Sequence, residues 1–339
     1  MEHFGFGLQL IPAPVHVRGL PIERDTKTRR AQAEGYAMKA LLLLFMAMLA
    51  GPVLAKPDLS QTMGNTLARS GSESYSFERF DLAAADNQRH YRVYLAVPKQ
   101  PAPAAGYPVM YMLDGNAALA SLQESWLAEA DNPPLLVMIG YDTELRIEPL
   151  ARTFDYTPSP LTGEPFADES SQGRMAGGAS QFLELIETRI KPQVNARHRV
   201  DRQQQTLWGH SYGGVFVLNC LFVRPDAFQR YVAVSPSLWW QSGLLLQVEK
   251  QLPLKARARV MILQGEQEGR ADKGREMPAA RAQAMRAVGT DALAKMVARL
   301  AAYPHIEVDY QTLKGLGHGP MFAASIPLAM QFATEQGAP

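Results

Sequence analysis

The chain has 339 residues, a formal net charge of +1, 47% hydrophobic and 20% charged residues. This globular composition excludes a disordered chain, and the neutral balance offers no basic stripe for nucleic acid. A single cysteine, Cys220, excludes an internal disulfide framework and any Cys-based metal site.

Residues 38–57 read MKALLLLFMAMLAGPVLAKP. Lys39 gives a positive start, Ala40 to Ala50 is unbroken apolar sequence, and Gly51-Pro52 breaks it. Small or aliphatic residues follow up to Ala55, the order of a secretory signal peptide. The apolar run is too short to span a membrane, so no stable insertion is expected after cleavage. The stretch ahead of Met38 lacks apolar periodicity. Residues 1–37 therefore read as an upstream extension, 38–55 as the signal, and 56–339 as one domain.

Ser74–Phe80 and His90–Ala96 read as strands around an Asp86-Asn87 turn. Gln100–Gly106 is a Pro/Ala linker. Tyr107–Leu113 is continuously apolar, as in a strand buried on both faces, and Asp114-Gly115-Asn116 ends it. A helix over Ala117–Ala130 and a buried strand over Pro134–Gly140 come next. Residues 142–178 lose all periodicity and read as one long loop. Ser180–Val194 reads as an amphipathic helix, Thr206–Trp208 as a strand, and Gly213–Val223 as a helix whose apolar run makes Cys220 a core residue. Arg230–Val234 is a strand and Ser237–Leu252 mostly helical. Arg257–Leu263 is a further strand, and Pro278–Ala302 a long Ala-rich helix. Ile306–Leu313 is the last strand, followed by a helix near Met321–Thr334. Alternating strands and helices predict an α/β fold: a mostly parallel sheet with helices on both faces.

Gly209-His210-Ser211-Tyr212-Gly213-Gly214 matches G-x-S-x-G between a strand and a helix, the context of a nucleophile elbow. Ser211 is the candidate nucleophile, and the Tyr212 N–H, at a helix start, a candidate oxyanion donor. A serine needs a base. Only His305 and His318 follow it; His305 precedes the last strand, whereas His318 follows it, at the carboxyl end where such sites lie. The acid is expected after Arg257–Leu263. Glu268 is favoured over Glu266, and a Ser–His dyad without a carboxylate is the third option. Gly115 or Asn116 is the expected second oxyanion donor.

YPVMYMLDGN, RTFDYTP, GGASQFLELIETRIKPQ, TLWGHSYGGVFVLN, AVSPSLWW and GLGHG together resemble the α/β-hydrolase esterases of the ferric-enterobactin esterase group. The resemblance runs in order along nearly all of residues 56–339. It implies an α/β-hydrolase fold, hydrolysis of trilactone catecholate siderophores, and, for an exported member, a periplasmic location. It also implies Ser211 and His318 as catalytic residues and the Tyr107–Asn116 strand end as part of the oxyanion hole. For such a substrate, Trp239 and Trp240 are candidate stacking surfaces, and Arg152 and Arg174, with Arg146, candidate partners for a planar anion. No HExxH, EF-hand, Walker or dinucleotide motif occurs, so no cofactor or metal is expected. The leading expectation is an exported serine esterase acting on a small-molecule ester, a ferric catecholate siderophore. A general carboxylesterase or acyltransferase, and a non-catalytic binding protein, are the alternatives.

Overall fold

The computed structural model describes residues 59–128, 132–160, 163–251, 254, 256–268 and 279–335. The expected upstream extension and signal peptide lie outside the described residues.

Eight strands form one sheet, in the order β1-β2-β4-β3-β7-β8-β9-β10. They are β1 (Tyr75–Ala83), β2 (His90–Pro98), β3 (Tyr107–Met112), β4 (Leu135–Tyr141), β7 (Val200–His210), β8 (Arg230–Val234), β9 (Ala258–Gly265) and β10 (Ile306–Leu313). β1–β2 and β2–β4 are antiparallel, and every other pairing is parallel. Alternation within β3 shows why the sheet lies at the centre. Val109 and Tyr111 join the core on one face, Met110 and Met112 the core on the other.

Three helices contribute to the second core: α2 (Gly115–Ser121), α3 (Glu124–Ala128) and α11 (Met321–Thr334). Trp208 Nε1–H donates to Ser325 Oγ at 3.2 Å and ties β7 to α11. The opposite face carries α5 (Ala179–Leu185), α6 (Lys191–Arg197), α7 (Tyr212–Val223), α8 (Leu244–Gln251) and α10 (Ala292–Ala301). α7 has no polar stripe; every residue from Tyr212 to Phe222 is buried, as a helix apolar all round must be. Cys220 lies on it as a core residue, its thiol pushed well up by burial. Among the described residues no helix is long and apolar enough to cross a membrane, and no cluster of metal-ligating side chains occurs.

Several boundaries differ from expectation for local reasons. The helix expected over Ala117–Ala130 is split between α2 and α3, because Leu122 turns extended (ψ 138°) and buries its side chain. The helix expected over Ser180–Val194 extends from Ala179 to Arg197 with a π-turn at Ile186–Ile190. Pro192 lacks an N–H there, and the wider turn accommodates the missing bond. The long helix expected to Ala302 is two, α9 (Ala279–Val288) and α10, separated at Gly289 with φ 82°. Among the described residues of Ser237–Leu252 only a 3₁₀ turn (Trp240–Ser242) and α8 are helical, with Gly243 at φ 90° between them. Residues 142–178 are not a bare loop. They hold α4 (Pro149–Tyr156), capped by Glu148, and a hairpin of β5 (Phe166–Asp168) and β6 (Arg174–Ala176). Elements this short are below the length at which periodicity can be read. A short α1 (Leu67–Ser70) precedes β1.

α4 carries Asp155 into the core at 1% exposure. Tyr91 and Tyr141 hydroxyls donate to its Oδ2, each at 3.0 Å, and Arg89 Nε lies 3.1 Å from Oδ1. Burial outweighs these partners and pushes the carboxyl up to about 7. A carboxyl raised in the folded state opposes folding once it must ionise. Its contribution therefore falls as pH rises from about 4, the ordinary value, to about 7. We expect the melting temperature of Asp155→Asn, relative to the native chain, to be higher at pH 7.5 than at pH 5. A difference constant across that window would contradict the assignment.

Candidate active site

Five strand ends on the carboxyl edge of the sheet deliver the candidate residues: β3 to Gly115, β7 to Ser211, β8 to Ser235, β9 to Glu268 and β10 to His318. The turn after β7 holds Ser211 at φ 61°, ψ −115°, a conformation natural to glycine. Its N–H donates to Val234 O at 2.9 Å, which pins the turn to β8. Close approach explains the flanking glycines. A Cβ at Gly209 would lie 2.5 Å from the Gly213 carbonyl, and one at Gly214 2.9 Å from Val234 O. Gly213 itself has ordinary room, with nothing nearer than 3.5 Å. Gly214, beyond the G-x-S-x-G motif, is the more constrained residue.

Ser211 Oγ lies 3.1 Å from His318 Nε2, and His318 Nδ1 lies 3.4 Å from Glu268 Oε2. The second interaction is long for a charge-assisted hydrogen bond. Glu268 Oε1 accepts from Ser235 Oγ at 2.5 Å and from Gly265 N–H at 2.8 Å. Burial alone would raise this carboxyl; His318, then Ser235 and Gly265, hold it below the ordinary carboxylate range. Glu266 is engaged elsewhere, accepting from Gly315 N–H at 2.9 Å. The loops after β9 and β10 are further joined by Gln267 N–H to Leu316 O at 2.9 Å. His210 Nε2–H donates to His318 O at 2.8 Å, which supports the histidine loop from below. Burial, then the neighbouring His318, push His210 well below its ordinary value, so it stands neutral. His305 lies apart, its Nε2–H donating to Leu254 O.

Tyr212 and Gly115 each begin a helix, so their N–H groups lack an intrahelical acceptor. The turn before Gly115 is held firmly. Asp114 is left-handed at φ 49°, its N–H donates to Tyr156 Oη at 2.8 Å, and its carboxylate receives Arg152 Nε and Nη2 at 2.8 and 3.0 Å. Gly115 is packed on β4, where a Cβ would meet the Met138 and Ile139 carbonyl carbons at 2.5 Å. The Asn116 side chain is fully occupied. Its Nδ2 donates to Tyr141, Thr143 and Leu145 carbonyls and its Oδ1 accepts from Tyr141 N–H, leaving Asn116 only its backbone for an oxyanion.

The expected substrate contacts divide. Arg152 is committed to Asp114, with its guanidinium over the Tyr156 and Tyr212 rings, and so is a support for the turn instead of a free cation. Trp240 is 1% exposed and its Nε1–H donates to Asp168, so its ring has no open face for stacking. Trp239 is half-buried beside Tyr212, with Arg281 over its ring at 4.6 Å. Arg174 is half-buried on β6, and its guanidinium makes no hydrogen bond or ion pair among the described residues. Arg146 donates to Ser121 Oγ.

Three features escaped the sequence reading. Asp168, fully buried, accepts from Ser170 N–H, Ser170 Oγ, Ser171 Oγ, Trp240 Nε1 and Gln241 Nε2. Because Ser171 donates to Asp168, the Tyr212 hydroxyl donates to Ser171, which anchors the hairpin of β5 and β6 on the residue after Ser211. Asp114 is the second feature. The third is the pair Ser235 and Ser237, hydroxyls at the carboxyl end of the strand that follows the elbow helix; that position was the available signal.

A family profile described as "Putative esterase" matches residues 84–311. The apo-salmochelin esterase of Escherichia coli O6:H1 is 35% identical over 306 residues, 89% of this chain and 92% of its own length. Ferri-bacillibactin esterase BesA of Bacillus subtilis is 35% identical over 175 residues, 49% of this chain and 60% of its own. The solved structure of the enterobactin and salmochelin hydrolase IroE superposes with a TM-score of 0.61 at 33% identity, covering 79% of this chain and 99% of that one.

The backbone at Ser211 stores strain that only a residue without a Cβ escapes. We expect Ser211→Gly to be more stable than Ser211→Ala by about 1–2 kcal/mol in urea unfolding. Equal stabilities would show that the turn is unstrained.

Proposed function

The chain belongs to the siderophore esterase family, and from that membership we propose that it is an exported serine esterase that opens ester bonds of a catecholate siderophore. The observation that carries this reading is the line Ser211–His318–Glu268, with donor–acceptor separations of 3.1 and 3.4 Å. Ser211 Oγ attacks the ester carbonyl while its proton passes to His318 Nε2. Tyr212 and Gly115 N–H groups receive the charge on the carbonyl oxygen. His318 returns the proton to the departing alcohol, and a water then opens the acyl-enzyme by the same route. Glu268 keeps the His318 proton on Nδ1 and steadies the imidazolium.

The activities for which the relatives are named support a siderophore as substrate. An open site supports it too: the His318 side chain is 43% exposed, which leaves room for a bulky ester. Trp239 and Arg174 are the contacts left for catecholate arms. The signal-like stretch from Lys39 to Ala55 supports export to the periplasm, with ferric siderophore as cargo to be released there. A general carboxylesterase is the second reading, favoured by one observation: Arg152 and Trp240 are both committed to internal partners.

The decisive experiment is mass-spectrometric product analysis over ferric and iron-free tris-catecholate lactones, with a p-nitrophenyl ester as reference. Comparable kcat/KM on all of them would favour the second reading. Ser211→Ala and His318→Ala should each lose on the order of 10⁶-fold in kcat, Glu268→Ala about 10⁴-fold or less, and Glu266→Ala little. Arg152→Lys keeps the charge and loses the two-pronged grip on Asp114. We expect it to lose on the order of 10-fold or more on both ester classes alike, because it loosens the oxyanion turn. A loss confined to the anionic siderophore would instead make Arg152 a substrate contact. Amino-terminal sequencing of envelope protein should find Lys56 first; a retained leader in the cytosolic fraction would remove the export proposal.

A further inference from the structure

β8 ends at Val234, and the chain continues as Ser235-Pro236-Ser237. The two serines address opposite ends of the same hydrogen-bonded line. Ser235 donates to Glu268, and Ser237 Oγ lies 3.2 Å from Ser211 Oγ.

Proton assignment gives that second contact its direction. Glu268 accepts, so His318 carries its proton on Nδ1 and offers Nε2 as an acceptor. Ser211 has one proton, and it is directed to Nε2. Ser237 must then be the donor to Ser211 Oγ. Its side chain is buried, the residue being 3% exposed, and among the described residues Ser211 is the only hydrogen-bond partner of its hydroxyl. A buried hydroxyl with a single partner is a poor device for stability, since an alanine would fill the same space without desolvating a polar group. Its position is also fixed. Ser237 N–H donates to Ser211 O at 3.3 Å, Trp240 N–H donates to Ser237 O at 3.0 Å, and Pro236 packs where a Gly214 Cβ would be.

We propose that Ser237 is a further catalytic residue: a fixed hydrogen-bond donor that stabilises negative charge on Ser211 Oγ, above all when that oxygen leaves the acyl group. The proposal rests on Ser211 being the nucleophile. In deacylation, water attacks the acyl carbon and gives a proton to His318 Nε2. The tetrahedral intermediate collapses, the C–Oγ bond breaks, and its electron pair goes to Oγ. The proton on Nε2 then returns to Oγ, and the carboxylic acid departs. Ser237 keeps its own proton throughout. Its hydrogen bond is weak to the ester oxygen of the acyl-enzyme and strengthens as charge gathers on Oγ, so it acts on the transition state more than on the ground state. In acylation Oγ begins as a hydroxyl, already a fair acceptor, and the gain is smaller.

The test follows both half-reactions of a p-nitrophenyl ester by rapid mixing, with acyl-enzyme decay read by intact-protein mass spectrometry. Ser237→Ala should slow deacylation about tenfold and acylation less. The acidic limb of the kcat/KM profile and the melting temperature should not move, because Ser235 and Glu268 keep their places. Ser237→Thr, which retains a hydroxyl, should restore most of the rate. Ser237→Cys, of similar shape and a weaker donor, should fall between. Rates within twofold of the native chain for Ser237→Ala would overturn the proposal. So would a loss that comes with a shifted acidic limb and resists rescue by threonine, since that pattern belongs to a structural prop. Ser211→Ala and labelling by a fluorophosphonate separate the two levels. An unlabelled Ser211 and an active Ser211→Ala would remove the nucleophile reading and this proposal together. A labelled, essential Ser211 beside a fully active Ser237→Ala would remove this proposal alone.

Discussion

The arrangement depends on holding Ser211 in a backbone conformation that a serine resists. That strain is tolerated because neighbours leave the turn no alternative. Val234 O takes the Ser211 N–H, and Gly209 and Gly214 allow backbones too close for any side chain. α7 behind the turn is buried from Tyr212 to Phe222. A residue in a disfavoured region persists only where its surroundings over-determine it. Here the surroundings are the parallel strands of the sheet and a buried helix, so the large hydrophobic burial of the core sustains a small local cost at the site.

The same logic repeats at the oxyanion turn, with electrostatics added. Asp114 is also left-handed, and its carboxylate sits at 3% exposure against the guanidinium of Arg152. A buried ion pair of this kind adds little net stability over an apolar pair, but breaking it leaves a charge stranded. It therefore serves to specify one conformation. Tyr156 extends the hold to the Asp114 N–H, and Asp155, the residue before it, is gripped by Tyr91 and Tyr141. α4 thus connects the turn at the end of β3 to the antiparallel side of the sheet through polar contacts inside an apolar layer.

How much of this was legible in the sequence depended on whether a residue type is rare in its context. Ser211 was legible because glycines bracket it between an apolar strand and an apolar helix. His318 was legible because only two histidines follow, and only one lies past a strand's carboxyl end. Glu268 needed one structural fact, that Glu266 turns to Gly315 while Glu268 turns to His318 and Ser235. Arg152 and Trp240 looked like ligand contacts because arginine and tryptophan are common in binding sites. Their acceptors, Asp114 and Asp168, are distant in sequence, and periodicity carries no information about such pairs. The short elements between residues 142 and 178 were hidden for a related reason: α4 has only eight residues and each hairpin strand three.

Asp114 and Asp168 also show two ways of burying a carboxyl group, with different consequences for charge around Ser211. Asp114 is met by Arg152, and the pair is close to neutral for a ligand approaching from outside. Asp168 is met by hydroxyl, indole, amide and backbone donors, with no cation among them. Neutral donors satisfy its oxygens, but they do not cancel its charge in the way a guanidinium would. The Tyr212 hydroxyl, donating to Ser171, extends that chain toward the Tyr212 backbone. A negative group on this side would oppose both an oxyanion at the Tyr212 N–H and an anionic ligand. Two cations among the described residues, Arg174 in register with Asp168 on β6 and Arg281 over Trp239, offset it in part. Residues on the hairpin and on α9 thus contribute to the charge around Tyr212 from outside the strand ends that position the serine and the histidine.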